Sequence, residues 1–151
     1  MSEKPEKILY QNQNEIWEQA KGHLVDIVKD EPVVKEALVW ASLAEGKFGL
    51  YQEKYREQEG SDIDLVVITD ENYEIPQEWK FTTVEKSCFD LYRLGKFTYE
   101  GHQHPIDGLI VFPSRHNLQE VRDMLSDRSK SIYLKEGTSI LTQYEDLSKK
   151  G

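Results

Sequence analysis

Two carboxylates stand two residues apart at the mouth of an apolar run: Asp62 and Asp64 in "GSDIDLVVITD", residues 60–70. Residues i and i+2 of a β-strand point to the same face, so the pair would crowd one spot. Like charges that close repel unless a cation lies between them. A third acid, Asp107, opens another apolar run, "PIDGLIVFP". Asp often forms turns or caps strand ends, which accounts for Asp62 after its Gly-Ser. It does not account for Asp64, flanked by Ile63 and Leu65 where a strand disfavours Asp. Three acids on neighbouring strands would form an oxygen-rich cluster suited to Mg²⁺, which takes a few carboxylates with phosphate oxygens and water. Such a cluster can hold two ions across an in-line phosphoryl or nucleotidyl transfer. An EF-hand loop, the competing reading of Asp-x-Asp, fails because its sixth position needs Gly and here is Val67.

Other chemistry-bearing residues carry less. His102 and His104 in "GHQHPID" form a His-x-His pair that can ligate a transition metal, but without further clustered ligands they read as an exposed loop before Asp107. Asp90 in "CFDLYRL" is a rival third carboxylate, and Cys88 reads as packing. Arg93, Lys96 and Arg115 are the cations nearest these acids in sequence and can neutralise phosphate, though none belongs to a motif.

The elements that must position the acids follow from patterning. Asn14 is expected to cap a helix running to about Lys29, with Ile16, Ala20, Leu24, Ile27 and Val28 on one face, closed by Pro32. "VVKEALVWAS", residues 33–42, reads as a strand, and "DIDLVVIT" as a second strand buried on both faces. The polar stretch between them is a short exposed helix or a loop; periodicity does not decide. Residues 71–80 read as a loop, and 81–101 as one or two strands with a turn at Gly95. The apolar strand at 105–113 comes next. Asn117 then caps "LQEVRDML", with Glu120 in capping-box position, and "SIYL" and "SILTQYEDL" finish the chain. Strands with few helices predict an α/β or α+β domain around a mixed sheet flanked by helices.

The chain has 151 residues and a net charge of −9, room for a single domain, residues 1–151. That charge lacks the basic field that drives nonspecific nucleic-acid binding, so a polynucleotide partner is not expected, whereas a nucleotide with divalent cations is permitted. No stretch has the length of a membrane helix. The N-terminus lacks a signal peptide's apolar core, and a single cysteine fits a reducing compartment, so a cytoplasmic location is expected.

"VWASLAEG … SDIDLVVI … PIDGLIVFP" resembles the nucleotidyltransferase superfamily with the DNA polymerase beta-like fold, closest to minimal nucleotidyltransferases and antibiotic-modifying adenylyltransferases. The resemblance spans about residues 33–141. It implies that Asp62 and Asp64 bind both of two Mg²⁺ ions. Asp107 would bind the catalytic ion and take or orient the acceptor proton. Ala41, Ser42 and Ser61 would lie at the nucleotide, with Ser42 at its terminal phosphates. The implied reaction moves a nucleoside monophosphate, AMP from ATP or the equivalent from another NTP, onto a hydroxyl of a small molecule or protein. A helical partner protein or a second copy would supply the wall of the cleft that a second domain often provides. Three features depart from the pattern. Ala41 replaces the family's Gly, and Glu45 stands where a basic residue is common. Ser42 to Glu45 also reads as a helix capping box, compatible with a phosphate contact at a helix start. Finally, a surplus segment at about 49–60 would form a lid, a partner surface or neither. These departures carry the alternative: a catalytically weak or inactive binding or regulatory module, such as an antitoxin-like partner protein.

Overall fold

The computed structural model describes residues 6–55, 58–69, 75–85, 89–126 and 128–135. Its centre is β5 (Ile63–Thr69), whose Leu65, Val66, Val67 and Ile68 are all fully buried. A strand apolar on both faces needs cover on both faces. Laterally, β2 (Val34–Trp40) pairs antiparallel on one side, and β8 (His102–Val111) pairs parallel on the other. Beyond them lie β7 (Phe89–Tyr99), β6 (Lys80–Glu85) and β9 (Ser129–Leu134), giving the order β6-β7-β8-β5-β2-β9.

Helix α1 (Gln13–Val28) covers one face. Its Ile16, Ala20, Leu24 and Val28 recur every fourth residue and pack with Ala37, Val39, Leu65, Val67 and Ile110. Helix α2 (Leu118–Leu125) covers the other, joining Val121 and Leu125 to Leu38, Val66, Ile68 and Leu109. The Asn117 side chain accepts the Glu120 N–H at 3.1 Å, the cap that the sequence predicts. The fold is thus α+β, a mixed sheet between helices. Among the described residues, no helix is long and apolar enough to cross a membrane.

Five local expectations are corrected. Helix α1 begins at Gln13 after Asn12, so Asn14 lies inside its first turn instead of capping it. The stretch after Ser42 is neither helix nor plain loop: β3 (Gly49–Tyr55) and β4 (Gln58–Gly60) form a hairpin. The hairpin pairs with β1 (Lys7–Leu9) in a second sheet, β1-β3-β4. Local polarity hid these strands, and the partner that extends them, β1, comes from the chain's far N-terminal end. The Gln13 carboxamide fastens the join, donating to the carbonyls of Tyr10 and Phe48 at 2.7 and 2.8 Å and accepting the Phe48 N–H at 3.0 Å. Gly95 is no turn. It sits at a register shift inside β7 with φ +134°, and the turn to β8 comes at Glu100 and Gly101, both at positive φ. Asp107 accordingly lies in the middle of β8, not at its start. Residues 41–46 are turns rather than a helix opened by Ser42. Cys88 and the closing "SILTQYEDL" lie outside the described residues.

Candidate functional site

Pairing of β2, β5, β8 and β7 lines up Trp40, Asp64, Asp107 and Arg93 as successive cross-strand neighbours on the α2 face of the sheet. Asp64 and Asp107 are therefore adjacent, as the motif predicts. Asp62 lies one residue before β5 begins, so it reaches the site from a loop rather than from the strand. Ala41 and Ser42 follow directly from the end of β2, opposite that loop.

These segments enclose a cleft of about 360 Å³ lined by Ala41, Ser42, Ser61, Asp62 and Asp64, and by Glu45, Tyr51 and three cations, Lys7, Lys47 and Arg128. Asp107 is not part of the lining. Its Oδ1 takes the Arg93 Nε at 2.9 Å, and its side chain is 13% exposed. Among the described residues no three His, Cys, Asp or Glu side chains gather closely enough to hold a metal ion. The donor set that does face the cleft, two carboxylates, still fits Mg²⁺, which is commonly bound through one or two carboxylates plus substrate phosphates. The expected convergence of all three acids is replaced by a pair in the cleft and a neighbour salted to Arg93.

Ala41 sits at φ +67°. The left-handed region costs an alanine roughly 1–2 kcal/mol that glycine escapes, so the backbone asks for glycine where the resembled pattern has one. The strained residue is held by its N–H on the Arg128 carbonyl, at 2.9 Å, and by its own carbonyl accepting the Glu45 N–H, also at 2.9 Å. Glu45 is not left to repel an incoming anion: Arg128 Nε and Nη2 both donate to its Oε1, at 3.2 and 2.9 Å. That bond holds the Glu45 carboxyl below its ordinary range.

The loop carrying Asp62 is anchored by a buried network. Ser61 is almost fully buried; its hydroxyl accepts the Gly49 N–H at 3.2 Å and its N–H donates to the Gly49 carbonyl at 2.9 Å. Its carbonyl faces His104 Nδ1 at 2.8 Å. A carbonyl only accepts, so Nδ1 carries the proton. In the neutral ring Nε2 then accepts from the Tyr10 hydroxyl at 2.9 Å. Burial lowers the His104 pKa, partly opposed by the Ser61 carbonyl, and burial raises that of Tyr10 to about 12. His104 is thus a buried core residue of β8, not part of the exposed loop that the sequence suggests. Its neighbour two residues back, His102, approaches Glu59 at 3.4 Å on the hairpin. A Cβ on Gly60 would collide with the Gly49 carbonyl oxygen, so only glycine allows the two strands this close.

Asp90 is elsewhere. It pairs with Ile110, three positions along β8 from Asp107, and is gripped by Arg115 and by His116 Nε2, the latter at 3.2 Å. His116 Nδ1 accepts the Phe112 N–H at 2.9 Å, which fixes its tautomer. Of the cations expected near the acids, Arg93 reaches Asp107, while Arg115 serves Asp90 and Lys96 donates to Gln103. Those that line the cleft, Lys7, Lys47 and Arg128, come from the N-terminal strand, the turn after Ser42 and the link between α2 and β9, and sequence reasoning missed them. Only Lys47 had a local signal, five residues after Ser42. No family model matches the chain, and a search of curated proteins finds no match.

Proposed function

We propose that this chain is a Mg²⁺-dependent nucleotidyltransferase that moves a nucleoside monophosphate, AMP from ATP, onto a hydroxyl of a small molecule or protein. The observation that carries the reading is the shared cleft: Asp62 and Asp64 face the same space as Ser42 and three cations. A cleft that mixes carboxylates with cations suits a metal-bound polyphosphate, the acids taking the metal and the cations the phosphate charge. Asp62 and Asp64 would hold Mg²⁺, which supplies neutralisation of phosphate charge when bound. The acceptor oxygen bonds to the α-phosphorus as the bond to the pyrophosphate oxygen breaks. Asp107, the cross-strand neighbour of Asp64, would receive the hydroxyl proton once it parts from Arg93. Part of the wall that the resemblance assigns to a second domain is supplied by the chain's own β1-β3-β4 sheet, through Lys7 and Tyr51.

The Arg93–Asp107 ion pair favours a second reading, a binding module that keeps the sheet without turnover. Thermal unfolding with each NTP, with and without Mg²⁺, followed by mass spectrometry of candidate acceptors, separates the two. The transferase reading expects a Mg²⁺-dependent stabilisation by ATP and a product heavier by one AMP, both absent in Asp64→Asn. ATP binding without any transfer supports the module, and no response to any NTP overturns both.

A further inference from the structure

Arg128 is held at the mouth of the cleft from three sides. Its carbonyl accepts the Ala41 N–H, its N–H donates to the Leu125 carbonyl at 2.8 Å, and its guanidinium lies 5.5 Å from the centroid of the Trp40 ring. The backbone and stem are thus fixed, and what remains to be satisfied is the guanidinium edge. That edge, Nε with Nη2, presents two parallel donors that match two oxygens of a carboxylate or phosphate. In this protein both donors converge on one oxygen, Oε1 of Glu45. The fork is occupied without being matched.

The pair also faces solvent, with side chains 53% and 23% exposed, and exposed ion pairs contribute little net stability. Glu45 lines the cleft together with Lys7, Lys47 and Ser42, and both lysines attract its carboxylate. Of the three carboxylates that line the cleft, Glu45 is the one bonded to Arg128 and drawn by both lysines, while Asp64 attracts Arg128 without occupying its fork.

We propose that Glu45 is an exchangeable counter-ion that guards a polyphosphate subsite formed by Arg128, Lys7 and Lys47. The inference rests on the nucleotidyltransferase reading and names how its substrate is admitted. A polyphosphate chain displaces the Glu45 carboxylate, engages both donors of Arg128, and is held by the two lysines. An anion with a single charge gains too little over the resident carboxylate to evict it. The exchange thus selects polyphosphates over monoanions, and it explains why an acid is tolerated beside a phosphate site.

The test is calorimetric titration of the full chain with inorganic tripolyphosphate in the absence of metal, alongside Mg²⁺-ATP. Glu45→Gln should tighten tripolyphosphate several-fold, Arg128→Gln should weaken it on the order of tenfold, and Glu45→Gln should gain less in the Arg128→Gln background, where only the two lysines remain to be freed. Glu45→Asp, which withdraws the carboxylate while keeping its charge, should move the same way and covers a folding failure of Glu45→Gln. Unchanged or weaker binding in both Glu45 variants overturns the proposal, as does a gain of the same size with and without Arg128. AMP transfer with no Glu45 effect would overturn the guard and leave the enzyme reading standing. Tripolyphosphate exchange as described, with no transfer to any acceptor, would support the guard while the enzyme reading fails.

Discussion

Asp64 and Asp90 lie on adjoining parts of one sheet and are held in opposite ways. Asp90 is 3% exposed, with Arg115 on one carboxylate oxygen and His116 on the other, and His116 is itself locked by the Phe112 N–H. Both carboxylate oxygens are engaged within the fold. Asp64 opens into a cleft whose other walls carry hydroxyl, carboxylate and cationic groups from four separate segments. A buried carboxylate satisfied on both oxygens is a fastening. One presented to a space that other segments furnish with charge is a candidate for chemistry. Sequence alone offered Asp90 as a rival to Asp107 for the third place in the cluster that Asp64 belongs to, and only the company each keeps sets Asp90 apart.

The comparison breaks most readily on stability. Asp90→Asn should cost about 2–3 kcal/mol, because it strips a buried charge from two partners. Asp64→Asn should cost less, at most about 1 kcal/mol without metal, since the attraction of Arg128 that it loses is set against relief of repulsion from the neighbouring carboxylates. Denaturant unfolding of the two variants side by side checks this, and equal losses would make Asp64 a fastening too.

Each carboxylate region is braced by a buried histidine, His104 below Asp62 and His116 beside Asp90, and burial lowers both pKa values. The unfolded chain then binds protons more readily than the folded one, so stability rises with pH. Their contribution is complete above the ordinary histidine value of about 6.5. It is lost as pH falls from there through the lower folded values, by at most about 1.4 kcal/mol per pH unit for each ring. Unfolding followed from pH 8 to pH 5 should show this decline, flattened in His104→Gln and in His116→Gln. A flat parent profile would refute the neutral assignment of both rings.

A smaller effect sharpens the picture of the cleft. Ala41→Gly removes the strain at φ +67° at the cost of a more flexible unfolded chain, so the fold should gain up to about 1 kcal/mol. A loss measured by thermal unfolding would mean that the methyl group packs usefully there.

How much of this was legible depends on how local each signal is. The acids at 62, 64 and 107 and the two helices could be read because the evidence for each lies within a few residues: alternation, a cap, a stripe every fourth residue. Asp107 was placed at a strand start because Pro105 looked like a boundary, yet β8 runs through it back to His102. The hairpin was hidden by its polar sequence although its pairing is local, whereas β1, Lys7 and Arg128 were not legible because each meets the site from far along the chain. Glu45 reads as an obstacle by its charge, and only Arg128, 83 residues away, shows that the charge is already answered.

The parallel pairing of β5 with β8 also sets the order in which the site comes into being. β7 and β8 are joined by a two-residue turn, so their ladder can form early, on local contacts. β5 must then find the free edge of β8 across a long excursion; the contact of Ser61 with His104 alone closes 43 residues of chain. Closing such a loop is entropically costly before any contact repays it. Asp64 and Asp107 are therefore brought together late, after most of the hairpin is in place. A change that slows this pairing would leave the edge of β8 bare for longer, which makes that edge the place where aggregation should be sought.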